Sequence, residues 1–183
     1  MTEPRPRAGA SERSRPVAPR GLFSVAQIQH ILRVEFARAQ RYRYALSCLM
    51  ISVDQLESLR DLAGYELKEQ VLESVVGLLQ NATRTSDFLG RTADDRLAVV
   101  IPHTPREGAR ALAERLRARA RDLRLPAAAG EQRLTLSIGL AWLAGEGMLY
   151  SDALLSLAET AQGEASAQGG DRLIERALGG PEG

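Results

Sequence analysis

Three stretches of this chain place an arginine three residues before an aspartate: Arg84-Thr85-Ser86-Asp87, Arg91-Thr92-Ala93-Asp94 and Arg119-Ala120-Arg121-Asp122. The pairing has definite chemistry. A guanidinium is a planar fork of donors that suits phosphate oxygens and the edge of a base, and a carboxylate accepts from base N–H groups. The ordinary reading is a surface ion pair of little worth. In an arginine-rich chain the pattern also recurs by chance, so position must choose among the three. Other chemistry-bearing residues are sparse. His30 and His103 stand far apart without clustered ligands, which argues against a metal or a catalytic imidazole. Cys48 is the only cysteine; it makes no internal disulfide and reads as a small core residue on a strand. Trp142, just after a strand, reads as packing.

The elements that position these residues follow from composition and period. A length of 183 residues with 44% hydrophobic and 26% charged side chains suits one α/β domain with a proper core. The net charge of +1 gives no argument for nucleic acid or membrane binding. Lys68 is the only lysine; arginine carries the rest of the basicity. No apolar run approaches a membrane span and no secretory h-region opens the chain, so a cytoplasmic location is expected. Residues 1–20 hold four of the eight prolines and five arginines. They predict a flexible tail, as does the glycine-rich stretch within 177–183.

Between the tails, Ser24 predicts an N-cap for a helix through Arg41, with Ile28, Ile31, Leu32, Phe36 and Ala39 on one face. Leu46–Val53 is the near-continuous apolar run of a strand covered on both sides. A short helix over Gln55–Leu62, a break at Gly64 and a longer helix over Leu67–Gln80 follow. Asp87–Arg91 and Leu97–Ile101 predict a hairpin across Thr92–Arg96. Pro105 opens a helix to about Leu123. Leu134–Ala141 predicts a strand, Ser151–Ala167 a helix of small residues and Arg172–Ile174 a last short strand. The order β-α-α-β-β-α-β-α-β predicts an α/β (α+β) fold: a mixed, mainly antiparallel five-stranded sheet flanked by helices.

That order, with the local sequence, resembles the GGDEF (diguanylate cyclase) domain family over residues 21–176. Gly21-Leu22-Phe23-Ser24 is similar to a family Gly-Leu-x-Asn. Ile51-Ser52-Val53-Asp54 is similar to Asp-Ile-Asp and its flank, and Arg60-Asp61-Leu62-Ala63-Gly64-Tyr65 to Asn-Asp-x-x-Gly-His. Arg91-Thr92-Ala93-Asp94-Asp95-Arg96-Leu97-Ala98-Val99-Val100-Ile101-Pro102 follows Arg-Tyr-Gly-Gly-Asp-Glu-Phe-Ala-Val-Leu-Leu-Pro. Leu134-Thr135-Leu136-Ser137-Ile138-Gly139-Leu140-Ala141 matches the Thr-x-Ser-Ile-Gly-x-Ala strand. The order and spacing of these pieces carry the resemblance.

The resemblance implies an active site in which divalent metal ions activate a ribose hydroxyl and neutralise phosphate charge between two GTP molecules. Substitutions touch the metal, turn, base and phosphate contacts alike. The first metal aspartate corresponds to Ser52, a neutral hydroxyl; Asp54, two residues on, is a displaced substitute. Asp95 stands where the other metal carboxylate is expected, followed by Arg96, a cation beside a cation site. The signature glycines correspond to Ala93 and Asp94; if those positions need positive φ, alanine costs on the order of 1 kcal/mol. The guanine-reading pair corresponds to Arg60 and Glu69, and the phosphate-binding lysine to Ser166. The signature is thus degenerate, with no catalytic residue, metal or cofactor expected, and Mg²⁺ only if residual cyclase activity exists.

The resemblance also selects among the Arg-x-x-Asp stretches. Family members often bind their product, cyclic di-GMP, at such a motif five residues before the signature. Arg84–Asp87 has that spacing, and Arg115 is the candidate second arginine, with Arg110 and Arg117 beside it. The expected function is a cyclic di-GMP receptor relaying its signal through a homodimer or a partner protein. A pseudoenzyme working by protein contacts alone and a residual cyclase are the alternatives.

Overall fold

Along β1 (Leu46–Val53) successive side chains enter two different cores. Leu49, Ile51 and Val53 join one cluster, while Leu46, Cys48 and Met50 join the other. A strand alternates its faces, so an unbroken apolar run means that both faces of the sheet are covered, as predicted.

A computed structural model describes residues 21–129, 133–144 and 150–179. The predicted 1–20 tail and the last four residues lie outside them. After α1 (Val25–Tyr42) and β1 come α2 (Leu56–Ala82), β2 (Phe88–Arg91), β3 (Leu97–Pro102), α3 (Arg106–Arg121), β4 (Leu136–Leu143), α4 (Ser151–Ala167) and β5 (Leu173–Leu178). The sheet order is β2-β3-β1-β4-β5; β4 and β5 are parallel and the other pairs antiparallel. The mixed five-stranded sheet flanked by helices is therefore the observed fold. Buried side chains of α2 and α3 pack on one face, and those of α1 and α4 on the other. No helix among the described residues is long and apolar enough to cross a membrane.

Ser24 caps α1 with a capping box: its hydroxyl accepts from the Gln27 N–H, and the Gln27 side chain accepts from the Ser24 N–H. Phe23 bridges to β2, donating to the Leu89 carbonyl and accepting from the Arg91 N–H. The entry to α1 is thereby fixed beside the hairpin. Within α2 the helical path breaks at Ala63 and Gly64, the latter at φ 86° and ψ 178°, a conformation open to glycine and hardly to others.

Two strands differ from their predicted bounds by more than one residue. β4 runs on to Leu143, so Trp142 lies within the strand, where the Arg106 guanidinium stands 4.9 Å from its ring centroid. β5 is twice its predicted length. Its edge position lets Glu175 and Arg176 face solvent or ionic partners, and those charges hide the strand from a hydrophobic pattern.

Candidate functional site

The hairpin between β2 and β3 closes at Thr92 and Arg96. The Thr92 N–H donates to the Arg96 carbonyl at 2.8 Å, the Arg96 N–H to the Thr92 hydroxyl at 3.1 Å, and the Asp95 N–H to the Thr92 carbonyl at 3.2 Å. The one turn residue in the left-handed region is Asp95, at φ 64°. Neither Ala93 nor Asp94 has a positive φ. This corrects the expected backbone cost at the two lost glycines: the left-handed position falls one residue later, on an aspartate, whose short polar side chain tolerates it.

That conformation places the Asp95 carboxylate between two internal cations. Lys68 Nζ lies 2.7 Å from Asp95 Oδ2 and donates to Glu57 Oε1 at 2.9 Å. Arg91 Nε donates to Asp95 Oδ1 at 2.9 Å. The two terminal nitrogens of Arg91 meet Glu69 fork to fork, at 3.0 and 2.8 Å. Burial works against the charged form of Asp95, yet the hydrogen bonds from Lys68 and Arg91 outweigh it and hold its carboxyl below the ordinary range. Arg91 lowers Glu69 in the same way. Lys68 is pushed up, first by its bond to Asp95 and then by that to Glu57. Carboxyls lowered by folding contribute stability above their unfolded pKa and lose it as pH falls through the folded value.

Across a cleft of about 240 Å³ lined by Ser52, Leu56, Glu57, Ser58, Asp95 and Arg96, the other mapped residues are bound to one another. Gln162 Nε2 donates to Ser52 Oγ at 2.7 Å and to Ser166 Oγ at 2.8 Å. Arg96 Nε donates to Asp94 Oδ2 at 2.7 Å, and its head reaches toward Gln162 and Glu159 of α4. Asp54 is occupied as well: it accepts from Thr135 Oγ1 at 2.7 Å, Ser137 Oγ at 2.6 Å and the Asp171 N–H at 2.8 Å. It pins the turn into β5 and offers no displaced substitute for Ser52. Arg60 lies on the surface, paired with Asp61 and with Glu57, the carboxylate that also accepts from Lys68.

These residues do not fit a divalent ion, which needs several hard oxygens turned toward it. Both Asp95 oxygens already face cationic donors, and the Ser52 hydroxyl is engaged by an amide. Among the described residues no group of three or more His, Cys, Asp or Glu side chains is placed to hold a metal.

The second candidate region lies at the corner between α2 and β2. Asp87 is buried, and its Oδ2 accepts from the Arg84 backbone N–H at 2.6 Å, while its own N–H donates to the Arg84 carbonyl at 3.1 Å. This reciprocal pair fixes the turn and leaves the Arg84 residue exposed. Arg115 extends from α3 to the Ala82 carbonyl at 3.2 Å, two residues before Arg84. Its neighbours point elsewhere: Arg110 to Glu175, and Arg117 to Glu114 and Asp171. Cys48 is fully buried, with its thiol pushed up to about 12 by desolvation, and is chemically quiet.

A family profile for the diguanylate cyclase GGDEF domain matches residues 21–172. The chain belongs to the GGDEF family. Among curated relatives, the probable diguanylate cyclase DgcT of Escherichia coli is 32% identical over 148 residues, 79% of this chain and 32% of its own length. The chain thus spans about a third of that relative. Among solved structures, the active GGEEF domain of a diguanylate cyclase from Vibrio cholerae superposes with a TM-score of 0.78 at 24% identity, covering 85% of this chain and 97% of that one. The GGDEF domain of DgcB from Caulobacter crescentus, determined in complex with c-di-GMP, gives 0.77 at 16% identity over 84% and 91%. At these identities the two structures establish the fold.

Two residues of this GGDEF domain escaped the motif comparison: Lys68 and Gln162. Both were legible in helical period. Lys68 shares its spacing with Val71, Leu72, Val75 and Leu79, and Gln162 with Ala158, Ala161 and Ala165, so each lies on a buried stripe. A polar residue at a buried stripe position must find partners, and these two hold the mapped site residues together.

Proposed function

We infer that this domain does not cyclise GTP and serves as a receptor for cyclic di-GMP, bound by Arg84 and Arg115 at a turn shaped by Asp87. The observation that carries the receptor reading is the reach of Arg115 to the Ala82 carbonyl. It brings an arginine of α3 to the corner that presents Arg84, and two guanidinium groups at one corner suit the phosphates and guanine edges of a cyclic dinucleotide. Support for lost cyclisation comes from the hairpin. The only acidic signature residue that corresponds to a metal ligand is neutralised from both sides, and Ser52 supplies no charge. The Caulobacter relative crystallised with cyclic di-GMP agrees with the ligand class. Binding then biases a homodimer or a partner contact.

Calorimetric titration of cyclic di-GMP into the full chain tests the reading. Binding at about micromolar Kd or tighter is expected, weakened at least about tenfold in Arg84→Ala by loss of a charge-assisted fork. Equal heats for the two proteins remove the receptor reading. No heat with either favours a pseudoenzyme that works by protein contacts. Incubation with GTP and Mg²⁺ or Mn²⁺, followed by chromatography, is expected to yield no dinucleotide; its appearance would reinstate the cyclase activity for which the relatives are named.

A further inference from the structure

We propose that Lys68 is the built-in counter-ion of the signature turn, a covalently tethered cation doing electrostatically what a divalent ion does in a cyclising domain. The inference rests on the correspondence of Asp95 to a metal carboxylate and is independent of cyclic di-GMP binding at the other corner.

Three observations converge on this residue. It is the only lysine of a chain whose other 23 basic side chains are arginines. A lysine ends in a compact point charge, as a metal ion is, whereas arginine ends in a wide plane that meets its partners fork to fork. Second, its side chain is 7% exposed although it leaves a helix, so the ammonium is turned inward. Third, its partners are the carboxylate of the third signature residue, at 2.7 Å, and Glu57 at the start of α2, at 2.9 Å. The Lys68 ammonium thus ties the signature turn to the first turn of α2, just beyond the end of β1 where Ser52 stands.

Arg91 completes the arrangement from the opposite side, on Asp95 Oδ1 and on Glu69. Asp95, Glu57 and Glu69 then face Lys68, Arg91 and, at Glu57, Arg60, so three carboxylates meet three fixed cations and the cluster is neutral without any dissolved ion. A divalent cation approaching Asp95 meets the Lys68 ammonium at contact range, where like charges repel strongly inside a protein. The turn is therefore held in its left-handed conformation at all metal concentrations, and the domain has exchanged a metal-dependent site for a metal-independent joint.

Mn²⁺ titration followed by the electron paramagnetic resonance of the free ion, with melting temperature as a second readout, tests the proposal on the full chain. The wild type is expected to leave Mn²⁺ free and its melting temperature unmoved. Lys68→Met keeps the apolar stem and removes the charge; it should bind Mn²⁺ at least about tenfold more tightly than the wild type, and its melting temperature should rise with the ion. Mn²⁺ binding by the wild type that matches the variant, or a folded variant that gains none, overturns the proposal. Should Lys68→Met not fold, wild type and Asp95→Asn are compared: equal, weak uptake supports the proposal, and wild-type uptake lost in Asp95→Asn overturns it. Failure of cyclic di-GMP binding would leave these results untouched, and the reverse also holds.

Discussion

Gly139→Ala is expected to cost about 3 kcal/mol, a fall in melting temperature of roughly 6–12 °C for a chain of this size. A β-carbon at Gly139 would lie 2.0 Å from the Ala158 carbonyl oxygen and 2.3 Å from the Gln162 backbone nitrogen. Both atoms belong to the backbone of α4, so no side chain can swing aside. The helix must lift from β4 or the strand must bend. α4 approaches this closely because Ala158, Ala161 and Ala165 line its buried face. The displacement also draws Gln162 from Ser52 and Ser166, linking the packing defect to the cleft. Gly77→Ala is the control: nothing lies within 4 Å of its added carbon, it sits in an ordinary helical turn of α2, and it should gain up to about 1 kcal/mol. Thermal unfolding followed by circular dichroism reads both, and a Gly139→Ala protein that melts with the wild type refutes the close-packing account.

Much of this was legible from residue pattern, because pattern reports burial. The run Leu46–Val53 announced a strand with two covered faces, and the spacing of Val71, Leu72, Val75 and Leu78 announced the inner side of α2. What pattern does not report is where a polar side chain finds its partner when that partner is distant in sequence. Lys68 and Asp95 are separated by the whole second half of α2 and by β2, and Gln162 meets Ser52 across 110 residues. Motif comparison identified Ser52, Asp95 and Ser166 as a group, but not that other side chains of this chain hold them. The left-handed residue was misplaced for a related reason. Glycines in a signature suggest where a backbone must be permissive, whereas this turn, with its Thr92 and Arg96 hydrogen bonds, needs that freedom at Asp95. Edge strand β5 was under-read because its charges are satisfied laterally by Arg106 and Glu164, outside any period.

Asp95→Asn is expected to destabilise the domain by about 2 kcal/mol at pH 7, less than the loss on breaking a fully buried pair because Glu57 and part of Asp95 remain open to solvent. Asparagine is the informative replacement. It adopts the left-handed region at least as readily as aspartate, so the backbone at φ 64° is undisturbed and only the charge is removed. Lys68 would keep Glu57 and Arg91 would keep Glu69, yet the ammonium, with its side chain 7% exposed, would lose its shorter contact. The pH dependence identifies the cause. Folding lowers the Asp95 pKa from an ordinary 3.8, so its contribution is complete above that value and disappears as pH falls through the lower, folded one. Urea unfolding of wild type and variant should therefore give stabilities that are separated at neutral pH, begin to converge below about pH 4 and meet once pH has fallen through the folded value, where the wild-type carboxylate is itself neutral. A gap that persists unchanged into acid would mean that asparagine damages packing or the turn, and that the charge of Asp95 contributes nothing to holding the hairpin against α2.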